Sequence, residues 1–231
     1  MTFEFKTHQT AITDENEVDC VEKLMRGIPN PGDGELGVSV AFPGIGNNTW
    51  TIVQASDFMI DLLLVAGYHE EDVVARDFTA KAINKLTLIE YNNFCIQGVA
   101  KNAHEQAEWV ANQVETRNLT EGFTLHVSNF HLQRAWRTVL ESLRRREIFV
   151  PVFPVPVIYN PYEVAFLDNQ TGQRTLREVD VIAGEYARIK SYQLQKKDGS
   201  PGDVATTEWL LTIYLPWLYK QELVIDLLEE R

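Results

Sequence analysis

Residues Arg144–Tyr162 read RRREIFVPVFPVPVIYNPY. Ile148, Phe149, Val150, Val152, Phe153, Val155, Val157 and Ile158 are strand formers, and Pro151, Pro154, Pro156 and Pro161 are set among them. Proline has no N–H to donate, so this run cannot pair fully on both sides. Val150, Phe153, Val155 and Asn160, each preceding a proline, are pushed to extended geometry as well. Two readings follow: an edge strand covered within the chain, or an extended apolar arm lying on another subunit.

Upstream, the chain reads mainly as helix. Val18, Val21, Leu24 and Met25 recur at helical spacing behind the cap residue Thr13, and Gly27 and Pro29 close the segment, which predicts a helix over 14–26. Turn clusters at Pro29–Gly34 and Pro43–Asn48 bracket a strand candidate, Leu36–Phe42, and Thr49–Val53 completes a small hairpin. Ser56 caps a buried helix starting at Asp57, with Phe58, Leu62 and Val65 in its stripe. A helix over 70–84 opens on Glu70, Glu71 and Asp72, and its period carries through Ile89. Ala103, Ala107, Val110, Ala111 and Val114 share one face of a helix over 99–116. Gly122–Val127 reads as a strand, and Asn129 caps a helix over 130–146 seamed by Leu132, Trp136, Val139 and Leu143.

Downstream, strand signals take over. Glu163–Leu167 and Arg174–Ile182 flank the turn Asp168–Gly172, Tyr186–Leu194 alternates, and Thr206–Leu215 is a further strand. Lys196–Asp203 is a loop tip, and Trp217–Glu230 is a terminal helix. The expected fold class is therefore α+β. A mainly helical acidic region over 1–146, with a small hairpin, precedes an antiparallel β-rich region over 147–231.

The formal net charge is −12 over 231 residues. It is concentrated early: residues 1–117 hold 18 acidic and 8 basic side chains, residues 118–231 hold 15 and 13. Such a field opposes nonspecific binding to nucleic acid or an anionic membrane. The longest apolar run, Leu62–Gly67, is far short of a span, and the N-terminal sequence lacks the charged-then-apolar pattern of a signal peptide. A cytoplasmic protein, or one assembled into a particle without secretion, is expected.

Chemistry-bearing motifs are sparse. Cys20 and Cys95 form no CxxC, which excludes a paired-thiolate zinc site. The loop Pro43–Thr49 holds Gly44 and Gly46 but lacks the third glycine of a dinucleotide fingerprint and the Gly-Lys of a P-loop. With a strand expected after it, it reads as a plain turn. Asp57 and Asp61 stand four apart, His69 opens an acidic helix start, and His126 and His131 flank a strand–helix junction. No cofactor, metal or catalytic set emerges. The basic concentration is Arg134, Arg137, Arg144, Arg145 and Arg146, beside Trp136.

These features favour a non-enzymatic structural or adaptor subunit of a larger homo-oligomer, such as a virion head–tail or tail component. Its partners are copies of itself and other protein subunits, with no membrane, and the net charge disfavours nucleic acid. The contact residues expected are Arg134, Arg137, Arg144, Arg145, Arg146, Phe149, Phe153, Ile158, Lys196 and Lys197. The alternatives are a protein- or peptide-binding module that adds a strand to the Phe149–Ile158 edge, and a small enzyme assembled from scattered residues such as Asp57, Asp61, His69 and His131.

Overall fold

The computed structural model describes residues 17–31, 36–43, 48–57, 61–67, 94–97, 100, 102–157, 165–167, 175–194, 196, 199–200 and 202–221. Five strands form one all-parallel sheet: β1 (Val38–Ala41), β2 (Leu62–Val65), β3 (Phe94–Ile96), β4 (Phe123–Ser128) and β5 (Val152–Val157), in the order β3-β2-β1-β4-β5. The helices are α1 (Glu17–Gly27), α2 (Asn48–Asp57), α3 (Ala103–Arg117), α4 (Leu132–Arg145) and α5 (Glu178–Tyr192). A C-terminal helical run follows, made of Thr207–Trp209, a π-helical turn Leu210–Tyr214 and Leu215–Leu218. The expected α+β class is thus corrected to α/β. Among the described residues the C-terminal region is not antiparallel and β-rich: it supplies β5 to the parallel sheet and is mostly helical beyond it. The sheet crosses residue 146, because β5 pairs with β4 in parallel.

Parallel strands need crossover helices, and helices bury both faces of such a sheet. Ile52 and Ala55 of α2 pack with Ala41, Leu63 and Val65 on one face. Val21 and Met25 of α1, Val110 and Val114 of α3, and Trp136, Val139 and Leu143 of α4 share the other core with Val40, Leu64, Leu125 and Val127. Leu210, Tyr214, Leu215 and Leu218 join that second core.

Burial on both faces explains the misread elements. Leu62–Val65 is a continuous apolar run because Leu63, Leu64 and Val65 are buried on both faces of β2, so its residues fit a helical stripe equally well. Thr49–Val53 is rich in β-branched residues but belongs to α2, so the expected hairpin with Leu36–Phe42 is replaced by a strand–helix crossover. Its β preference is outweighed by burial of Ile52 and Ala55 against the sheet. Asp57 ends α2 rather than opening a helix, and Ser56 donates to Val53 O at 2.6 Å. Tyr186–Leu194 and Thr206–Leu215 are helical for most of their length, not strands. The antiparallel pairing among the described residues is the short hairpin β6 (Ala165–Leu167) with β7 (Thr175–Arg177). The helix expected over 70–84 lies outside the described residues.

The opening stretch becomes β5, at the edge of the sheet. Alternate residues of a parallel strand turn their backbone groups to opposite sides. Phe123 N–H donates to Pro151 O at 3.1 Å, whereas Val152 N–H donates to Tyr214 Oη at 3.0 Å. Val152, Pro154 and Pro156 therefore face away from β4. Two of the three outward donors are missing because they are prolines, and the third is capped by Tyr214. The edge is blunted chemically.

Candidate functional site

A parallel sheet in this order has its switch point between β1 and β4, where crossovers leave in opposite directions. In open α/β sheets, ligands bind in the crevice outside the strands' carboxyl ends at such a point. Phe42 and Pro43 follow β1 there, and both are buried. The glycine loop of Pro43–Thr49 leads into α2, a helix rather than the expected strand. Its residues 44–47 lie outside the described set.

The end of β4 carries the chemistry. Ser128 closes the strand, Asn129–His131 makes one 3-10 turn, and α4 begins at Leu132. That turn sets the His131 ring 6.3 Å from the Phe42 ring, centroid to centroid. His131 Nδ1 lies 3.0 Å from Glu185 Oε2. Glu185 comes from α5 and is 3% exposed. Arg134 Nε donates to the same oxygen at 2.5 Å, Arg134 Nη2 to Oε1 at 3.2 Å, and Arg188 Nη1 to Oε1 at 2.5 Å. One carboxylate is thus shared by two guanidiniums and an imidazole. Charge-assisted bonds of this density offset the cost of burying it.

Burial pushes the Glu185 carboxyl upward, but its bonds to His131 and Arg134 hold it well below the usual carboxylate range. Burial and the charge of Arg134 pull His131 below the ordinary histidine value, against Glu185. The cluster at neutral pH is an ionised Glu185 and a neutral His131. Nε2 of His131 makes no hydrogen bond among the described residues. Neighbouring contacts fix the frame: Arg26 Nη2 donates to Asn129 Oδ1 at 3.0 Å, Gln133 Nε2 to Val18 O at 2.9 Å, and the Tyr186 hydroxyl to Glu22.

A second polar line runs through the sheet beneath α2. Ser39 Oγ and Thr124 Oγ1 are 2.8 Å apart, and Thr124 Oγ1 and His126 Nε2 are 3.0 Å apart. Burial pushes His126 down to about 3, so it is a neutral core histidine.

The structure disperses the other contact residues expected from sequence. Arg137 is fully buried, donates to Thr207 Oγ1 at 2.5 Å, and is pulled down to about 10 by burial. Arg144 and Arg145 both bind Glu141, and Arg145 also reaches Gly202 O. Arg146 bridges Glu108 and Glu115. Phe149 is exposed beside Trp217, at 5.6 Å between ring centres. Phe153 is buried in β5. Lys196 pairs with Asp203 at 2.6 Å. Ile158, Lys197 and His69 lie outside the described residues. Asp57 stands at the end of α2 and Asp61 just before β2, away from the end of β4. Of all these, His131 and Arg134 come together, and their partner Glu185 was missed. A glutamate between two expected strands, Arg174–Ile182 and Tyr186–Leu194, carries no sequence signal until α5 is known to be a helix that buries it with Ile189, one turn on.

No family model, no curated protein and no solved structure matches this chain. Among the described residues, no group of three His, Cys, Asp or Glu side chains could hold a metal ion. No helix among them is long and apolar enough to cross a membrane.

Proposed function

We propose that this chain is an enzyme acting on a small molecule in the crevice outside the carboxyl ends of β1 and β4, with His131 meeting the ligand. The observation that carries this reading is the placement of a neutral histidine at the end of β4, its Nδ1 held by a buried carboxylate and its Nε2 without a hydrogen bond among the described residues. Fold topology alone does not supply a function, because one architecture hosts many. The proposal therefore rests on the side chains, and the strand order only says where a ligand has room. It reverses the expectation of a non-enzymatic subunit. The arginines behind that expectation are engaged within the chain, and the β5 edge lacks the outward N–H groups that strand addition needs.

A thermal-shift screen of nucleotides, sugar phosphates and carboxylic esters tests it. A ligand that raises the melting temperature of the native chain and not of His131→Gln supports the reading. Equal shifts in both proteins sink it.

One observation keeps the assembly reading as a second proposal. Phe149 is 44% exposed against the Trp209 and Trp217 rings, and Ile213, four residues from each tryptophan along the C-terminal helical run, is 47% exposed; exposed apolar side chains of this kind contact partners. Light scattering on Ile213→Glu checks it: a drop from oligomer to monomer favours assembly, and a native chain that is already monomeric removes it.

A further inference from the structure

We propose that Glu185 is a positioning residue that fixes His131 in its Nδ1–H form, which makes Nε2 a proton acceptor for an O–H group in the crevice. This rests on the reading of His131 as the ligand-contacting residue and adds what that residue does.

The argument is one of donors and acceptors. An ionised carboxylate can only accept hydrogen bonds. Glu185 Oε2 lies 3.0 Å from His131 Nδ1, so the proton between them sits on nitrogen. A neutral imidazole carries a single N–H, and Nε2 is left with a lone pair. Two elements, α4 and α5, put charge beside the ring, and α1 adds a pair near Asn129. Arg134 on α4 and Arg188 on α5 both bind Glu185, while Glu22 and Arg26 on α1 pair with each other at 2.8 Å. Tyr186 on α5 donates to Glu22. Among the described residues no second carboxylate binds His131 itself. Arg134 and Arg188 hold both oxygens of Glu185 as an ionised carboxylate, and their charge also favours the neutral form of the His131 ring.

The arrangement suits one chemical class of substrate step, removal of a proton from a hydroxyl, either water or an alcohol on the ligand. The O–H bond breaks and an N–H bond forms at Nε2. The oxygen keeps the electron pair. The imidazolium that results retains its Nδ1–H against the Glu185 carboxylate. Replacing Glu185 leaves the ring free to take the Nε2–H form, in which the same nitrogen donates and cannot accept.

Nitrogen-15 NMR of the imidazole rings in the whole chain tests this without a substrate. The His131 signals are assigned by their loss in His131→Gln. At pH 7 the native chain is expected to show a protonated Nδ1 and an unprotonated Nε2. Glu185→Gln is expected to abolish the dominance of that form, and Glu185→Asp to retain it in part. A native His131 protonated at Nε2 overturns the proposal even if Glu185→Gln does not fold. So does a Glu185→Gln spectrum identical to the native one. The reading of His131 as the ligand contact is tested separately by ligand shifts, so the two fail independently.

Discussion

Gln106 lies against the bare Cα of Gly67, so closely that a Cβ built there falls 1.9 Å from Gln106 Nε2. The same amide donates to Ala66 O at 2.8 Å and to Pro43 O at 3.0 Å. A side chain from α3 thereby ties together the ends of β1 and β2. Gly67 has φ +89°, a region that residues with a Cβ rarely adopt. Gly67→Ala is expected to destabilise by about 2–4 kcal/mol, from backbone strain and the clash together. Adding Gln106→Ala should relieve the clash but not the strain, so the double variant recovers only part of the loss. Urea denaturation measures both.

Tyr214 holds the sheet edge from outside. Its hydroxyl donates to Val150 O at 3.1 Å and accepts from Val152 N–H at 3.0 Å. Tyr214→Phe leaves two buried backbone groups unpaired, at a cost of about 2–4 kcal/mol. Trp136, Trp209 and Trp217 pack on the Tyr214 ring, which phenylalanine keeps, and Trp136 still donates to Val152 O, so a native-like fluorescence spectrum should accompany the lower denaturation midpoint.

Pro154 and Pro156 act against pairing rather than for it. Replacing both by valine restores two outward N–H groups on an edge strand. Stability should change by less than about 1 kcal/mol, while self-association rises, seen as concentration-dependent mass in light scattering. An unchanged monomer at all concentrations would contradict the account of the edge.

Acid should weaken the fold from two directions. His126 is pushed down to about 3 when folded, against an ordinary value of 6.5, so the unfolded chain binds more protons between those limits. Stability from this group is complete above pH 6.5 and falls as pH drops, with a slope of at most about 1.4 kcal/mol per pH unit. His131, also lowered, adds in the same sense. Glu185 is lowered from 4.5, so its contribution is present above that value and is lost below it. Urea midpoints at pH 7, 5.5 and 4.5 should decline steadily, and His126→Gln should flatten the upper part of the decline.

The helices with a wet face were legible in the sequence. α1 and α3 fall within a few residues of their expected spans because Val21 and Met25, or Val110 and Val114, alternate with solvated residues. α4 was legible from its apolar seam set among polar side chains, although Gln133, Arg137, Thr138, Glu141 and Ser142 are themselves buried. The strand β4 was legible from its boundaries, Gly122 and Asn129. What failed was whatever lies buried on all sides or is ordered by distant contacts. Leu62–Val65 has no polar face to give a period, and Thr49–Val53 is helical only because a sheet waits beneath it. The site was half legible. His131 was noticed, but its meaning depends on Glu185, 54 residues away and brought in by a helix that reads as a strand.

The central claim, that a ligand sits outside β1 and β4 against His131, is tested most directly by a crystal structure with the strongest ligand from the thermal-shift screen. The account predicts density at the carboxyl ends of those strands, with a ligand atom within hydrogen-bond distance of His131 Nε2. Well-defined density elsewhere on the chain, with that nitrogen uncontacted, would contradict it.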